Sequence, residues 1–430
     1  MGDYLIHNGM TRVGDSVDIV VRDGTIESVV DAGMADKHSF DPADRFDADG
    51  RLVTPTFSEP HTHLDSALTV DVAGTNESGT LEEGWVLWQE CRTGLDKAAV
   101  KRRAKRVIEW YVANGVTRIR SHVDVTATHW ENVDALLELR EELAHLVDLQ
   151  LVAFPIDSVV HDPETIGQLE EALERGVDVV GGLPHGEHTR EAGVEHVKQV
   201  VDLAETYDRP LDLHIDETDD PNSRFTEVLA VEVRARGLGD QTTASHVTAL
   251  HSYPNTYARK VTHLLAEVGM NVVTNPLSNA ILQGRYDDFP RRRGHTRIKE
   301  LRDLGVPVAI GQDDIVDSTY QYGDGDPLTA AQTLLHFAHM NLRSDVPDLW
   351  DMLLEESAHV VGVEPSGLEE GAAGSIVVHG GTNPFDVLRT REPRALVVKD
   401  GVPIAQSERT MRLTVDNKRT INPTNRPGSQ

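Results

Sequence analysis

Eight short apolar runs punctuate the middle of the chain, at residues 55–61, 117–123, 149–155, 177–183, 211–215, 242–247, 271–276 and 307–311. Helix-period segments fill most of the gaps, 98–113 and 164–175 among them. Runs of this length, continuous and not alternating, suit strands buried on both faces. Their alternation with helices predicts a parallel sheet with crossover helices. A count of eight favours closure into a (β/α)8 TIM barrel, an α/β fold, whose chemistry gathers at the C-terminal strand ends. A doubly wound open sheet is the alternative, and it would string those ends along a line.

The pattern changes toward both termini. Residues 17–21 and 25–30 read as short strands joined by the turn signal Asp23-Gly24. Residues 375–378, 395–398 and 402–404 repeat the theme, with Asp400-Gly401 as a second turn. This predicts a small β-sandwich domain built from both ends, 1–54 with 372–421, around a barrel spanning 55–371. The tail 422–430, rich in Pro, Asn, Gly and Ser, predicts disorder.

Polar residues mark where several apolar runs stop. The first ends in Glu59-Pro60-His61-Thr62-His63-Leu64-Asp65. Two histidines at i and i+2 of a strand share a face and can grip one ion. The fifth ends at His214, with Glu217 three residues on; the sixth at His246; the eighth at Gln312-Asp313-Asp314. His61, His63, His214 and Asp313 form a three-imidazole, one-carboxylate set suited to one Zn²⁺ or Fe²⁺. Glu217 is free to act as a base. His246 is a fourth ligand, a proton handler or a structural histidine, and Asp314 faces substrate or caps a helix. No lysine ends the third or fourth run, which argues against a carbamylated lysine bridging two metals. His122 and His185 lie near strand ends, with a supporting or a structural role. The cluster of His185, Glu187 and His188 reads as a solvated loop.

Composition narrows the partners. Among 430 residues, 71 are acidic and 41 basic, giving a formal charge of −30 at pH 7. Nucleic acid and anionic membranes would both repel such a surface. The acid is spread along the chain and Arg outnumbers Lys, as in proteins of salt-rich cytoplasm. Folding should therefore depend on salt, because the Debye length falls from about 10 Å at 0.1 M to about 3 Å at 1 M. The melting temperature is expected to rise markedly between low and molar KCl. A flat response would reject salt adaptation. The single cysteine, Cys91, excludes an intramolecular disulfide. No apolar run reaches membrane-spanning length, and the chain reads as soluble and cytoplasmic.

Taken together, the motifs resemble bacterial cytosine deaminases of the amidohydrolase superfamily. The matching segments are 59–65, Asp-Val-Val-Gly-Gly-Leu-Pro-His (178–185), Thr-Arg-Glu-Ala-Gly (189–193), His-Ile-Asp-Glu-Thr-Asp-Asp (214–220), Ala-Ser-His-Val-Thr-Ala-Leu-His-Ser-Tyr (244–253), Asn-Pro-Leu-Ser-Asn (275–279), Leu-Gln-Gly-Arg-Tyr-Asp (282–287) and Asp-Asp (313–314). The resemblance implies a mononuclear centre on His61, His63, His214 and Asp313. It also implies proton handling by Glu217, His246 and Asp313, a small heterocyclic substrate near Asp314, and a homo-oligomer. Gln283 and Gln312 join Asp314 and Ile156 as candidate substrate-facing residues. The departures fall in the pocket. The family's Gln after Ala-Phe-Pro, whose amide pairs with the pyrimidine edge, is Ile156 here. A family His is Ile281, and Gly-His-Asp-Asp is Gly311-Gln312-Asp313-Asp314. The expected activity is hydrolytic deamination of an amino-heterocycle with an apolar edge, and cytosine should be a poor substrate. The alternatives are release of an alkylamine from a triazine-like ring, opening of a cyclic amide, or metal binding without turnover.

Overall fold

The computed structural model describes residues 1–127, 129–363 and 367–409, and the backbone of 412–413 and 419–420. The tail 422–430 lies outside the described residues.

Strands β1 (Tyr4–Met10), β2 (Ser16–Arg22), β3 (Thr25–Asp31) and β4 (Arg45–Asp47) form a sheet in the order β3-β2-β1-β4. The chain then gives β5 (Val53–Pro55) to a second sheet. Between them lies the barrel: β6 (Phe57–Thr62), β7 (Val116–Asp124), β8 (Asp148–Phe154), β9 (Val179–Gly182), β10 (Leu211–Ile215), β11 (Thr242–His246), β12 (Asn271–Thr274) and β13 (Val308–Ile310). Strands β14 (Ile376–Val378), β15 (Leu396–Lys399) and β16 (Val402–Gln406) complete the second sheet in the order β16-β15-β14-β5. Ile6, Ile19, Val21 and Ile26 of the first sheet share one core with Val53, Ile376, Val378 and Val398 of the second.

All eight predicted runs are strands, and each pairs in parallel with its sequence neighbour. Their apolar side chains are buried against the crossover helices because a parallel sheet covered on both faces leaves no wet side. Helix Lys97–Ala113 starts where Asp96 accepts the Ala99 N–H at 2.9 Å. Helix Thr165–Arg175 stops at Gly176, in the left-handed region at φ 106°.

The barrel closes between β6 and the end of β13 through a parallel bridge of Thr62 with Asp313. The Asp313 N–H donates to the His61 carbonyl at 2.8 Å, and the His63 N–H donates to the Asp313 carbonyl at 3.2 Å. Glu59 Oε1 accepts the N–H groups of His61 and Gln312, both at 3.0 Å, and so clasps the two strands. The closing seam and the first histidine motif are therefore one piece of structure. Gly311 permits it: a Cβ there would sit 2.3 Å from Asn275 Oδ1 and 3.0 Å from the His61 Cβ. Among the described residues no helix is long and apolar enough to cross a membrane.

Candidate active site

His61, His63, His214, His246 and Asp313 converge at the C-terminal mouth of the barrel. The Nε2 atoms of His61 and His63 lie 3.2 and 3.0 Å from His214 Nε2. Asp313 Oδ1 lies 3.4 Å from His61 Nε2 and 3.5 Å from His63 Nε2. Ligands about 2.0–2.1 Å from one tetrahedral ion stand roughly 3.3 Å from each other, and these four contacts match that spacing. The groups that could hold an ion include His61, His214, His246 and Asp313, with His63, Asp313 and Asp314 beside them, so His246 crowds the same centre.

The seam sets this geometry. Asp313 adopts φ 69° and His246 φ 71°, left-handed values that non-glycine residues rarely take. At Asp313 the conformation breaks strand alternation, which lets Asp313 and Asp314 line the same cleft. Gln312 keeps the alternation and turns away. Its Nε2 donates to the Asp326 carbonyl at 2.8 Å, and its side chain does not line the cleft.

A buried carboxyl–imidazole pair stands beside the donor set. His246 Nδ1 is 3.3 Å from Glu217 Oε1 and 3.9 Å from Asp313 Oδ2. Asn279 donates from Nδ2 to Glu217 Oε1 at 2.8 Å, and its Oδ1 lies 3.3 Å from His246 Nδ1. Burial and the Asp313 charge raise the Glu217 carboxyl well above its ordinary range. Burial, Asp313 and Asp317 do the same to Asp314. Burial also opposes charge on Asp313, but His246, His61 and His63 outweigh it and hold that carboxyl low. Neighbouring acids pushed apart in this way can divide acid and base roles.

Behind the ligands, His61 Nδ1 lies 3.0 Å from Ser245 Oγ, which donates to Asp212 Oδ1 at 2.6 Å. Arg120 anchors Asp212 at 2.9 Å. This relay orients the His61 ring with Nε2 toward the centre. His122 is fully buried, its ring 4.1 Å from that of His61, and burial pushes it well below its usual range. The residues that converge here were legible in the sequence as polar ends of apolar runs. Asn279 and Asp212 were not, although an Asp between two leucines of a buried strand, Leu211-Asp212-Leu213, is a usable signal.

The cleft over these groups encloses about 570 Å³ including its mouth. Phe154, Ile156 and Leu183 are among its apolar lining residues, and Asp65, Asp314 and Asp317 are among its acidic ones. Helix Leu81–Arg92 lines it with Leu81, Trp85 and Trp88. Trp88 Nε1 donates to Asp124 at 2.9 Å, and Arg92 pairs with Asp124 at 3.0 Å and Asp157 at 2.7 Å, fastening that helix. Gln283 lies beyond Glu217 in an adjoining cleft that Trp85, His185 and Glu187 also line.

The solvated loop expected at His185–His188 is corrected in part: Gly186 and His188 are exposed, but the Glu187 and His185 side chains turn inward. Glu187 has a side chain only 1% exposed, and both His185 ring nitrogens are buried. Partners distant in sequence, chiefly His196 and the backbone of Val159, draw Glu187 inward.

The amidohydrolase family model Amidohydro_3 matches residues 79–405. The chain belongs to this family. As an amidohydrolase it is similar to the structure of 5-methylcytosine deaminase from Klebsiella pneumoniae, with 38% identity and a TM-score of 0.91, over 95% of this chain and 99% of that one. It is 29% identical over 356 residues to a pterin deaminase of Rhizobium rhizogenes, covering 82% of this chain and 77% of the relative. It is 27% identical over 380 residues to the N-isopropylammelide isopropyl amidohydrolase of Pseudomonas sp. strain ADP, covering 85% and 89%. The barrel, the family and the likeness to cytosine deaminases expected from the sequence are borne out.

Proposed function

We propose that this amidohydrolase hydrolytically deaminates a methyl-bearing aminopyrimidine of the 5-methylcytosine class. The observation that carries the reading is the assembly of Glu217, His246 and Asp313 around a four-donor site facing the Ile156 wall. The 38% identical 5-methylcytosine deaminase supports the ring class. His61, His63, His214 and Asp313 would hold one divalent ion, Zn²⁺ or Fe²⁺, and the chemistry it would supply is a lowered pKa for the attacking water.

Asp313 and His246 take and steer the proton that water loses. Glu217, whose burial favours the protonated carboxyl, donates to the ring nitrogen beside the reacting carbon; it regains one water proton by way of His246 and Asp313, passes it to the departing amine, and is restored by the second water proton. The ring carbon gains the water oxygen and ammonia leaves. Asn279 holds Glu217 Oε1, so the other carboxyl oxygen is free to face the ring. Asp314 and Ile156, which line the cleft, contact the substrate. A protein that only bound metal would have no use for this full acid–base set. The acidic composition supports a salt-rich cytoplasm, and the likeness to cytosine deaminases supports a homo-oligomer.

The test is ammonia release from 5-methylcytosine, cytosine and pterin, with isopropylamine release from N-isopropylammelide, under one condition. The highest kcat/KM is expected on 5-methylcytosine. Faster turnover of pterin, or alkylamine release from the triazine ring, would replace the proposed substrate class.

A further inference from the structure

Glu187 and His196 have no part in the chemistry just described, yet both are buried beside the cleft. Glu187 follows β9, and His196 lies on helix Arg190–Tyr207. Glu187 Oε1 accepts from His196 Nδ1 at 2.9 Å and from the Val159 N–H at 2.9 Å. Its Oε2 accepts from Ser158 Oγ. His196 Nε2 in turn accepts the Leu183 N–H at 3.1 Å. The two nitrogens thus have distinct duties, Nδ1–H as donor and Nε2 as acceptor. Only the neutral imidazole can meet both at once.

Electrostatics agrees with that assignment. Burial lowers the His196 pKa, keeping the ring neutral. Burial opposes charge on Glu187, but donation by His196 and Ser158 overcomes it and brings the carboxyl down to about 2. The fit is tight, since a Cβ on Gly182 would stand 3.0 Å from His196 Nε2.

The chain of bonds joins two loops. One follows β8 and carries Ile156, three residues before Val159. The other follows β9 and carries Leu183. These two side chains line the apolar wall of the cleft. We propose that Glu187 and His196 are positioning residues that fix the Ile156–Leu183 wall and thereby set affinity for the ring. The inference rests on the proposed deaminase reading for its substrate, but its structural half stands independently.

His196→Asn and His196→Gln separate the two duties. Asn places an amide N–H near the position of Nδ1 and loses the acceptor for Leu183. Gln reaches far enough to offer an oxygen near the position of Nε2. In His196→Asn, KM for 5-methylcytosine, or for whichever ring of the panel is turned over best, should rise about tenfold, the scale of a misfitted small apolar group. The kcat should stay within about threefold, because no reacting group has moved. His196→Gln should recover most of the KM. Amide hydrogen exchange at Leu183 should quicken in His196→Asn and return toward wild type in His196→Gln. A fall in kcat at constant KM, equal effects of Asn and Gln, or unchanged Leu183 exchange overturns the proposal. If the wild type deaminates no ring in the panel, the function reading fails, and the exchange measurement still decides whether His196 holds Leu183.

Discussion

Glu217→Gln should retain the metal and the melting temperature while losing roughly 10²–10⁴ in kcat, the usual contribution of a positioned general acid–base group. The expectation follows from geometry first. Glu217 lies beside His246, 3.3 Å from its Nδ1, with Asn279 fixing one carboxyl oxygen at 2.8 Å. The amide of Gln fills the same space and still accepts from Asn279 Nδ2. It cannot pass a proton to the ring nitrogen and on to the amine. Because Glu217 belongs to none of the groups among the described residues that could hold an ion, its replacement leaves His61, His63, His214 and Asp313 in place. Wild-type turnover by the Gln variant would show that another group carries the proton.

Ile156→Gln should raise kcat/KM on cytosine by roughly two to four orders of magnitude. In the cytosine deaminases that this sequence resembles, a Gln amide at this position both donates to and accepts from the pyrimidine edge. Ile156 does neither, and with Phe154 and Leu183 it makes an apolar wall. Each ring group left buried without a partner costs about 1–3 kcal/mol. Two such losses, at about 1.4 kcal/mol per tenfold, give the stated range. A methylated ring loses the same pairings but recovers about 1–3 kcal/mol through its methyl group, enough for a 10–200-fold preference over cytosine. Efficient cytosine turnover by the wild type, with no gain on Ile156→Gln, would remove Ile156 as the determinant.

The parts of this site that the sequence made legible share one physical origin. Each barrel strand is a buried apolar run, and the run must end where the chain turns toward solvent. His61, His63, His214, His246 and Asp313 therefore announce themselves as polar residues at the ends of apolar ones. Gln312 fails by the same rule. Two residues past the end of β13 and one before Asp313, it turns away from the cleft and donates to the Asp326 carbonyl. Asp314 returns to the cleft because Asp313 is left-handed at φ 69°, which no local pattern reveals.

Other features depend on register between distant elements. Asn279 reaches Glu217 across 62 positions, and Ser245 reaches Asp212 across 33. Glu187 reads as loop by its neighbours and is buried by Val159 and His196. The roof helix Leu81–Arg92 is legible as a helix, but its place over the cleft comes from Trp88 and Arg92 meeting Asp124.

Release of ammonia from an aminopyrimidine is expected to need one ion on the four donors, with Glu217 beside it. Titrating metal-stripped protein with Zn²⁺ or Fe²⁺ while following ammonia release from 5-methylcytosine tests it most directly. Activity should rise linearly and break at one equivalent per chain. A break at two equivalents, or no ammonia at any metal level, would contradict the account.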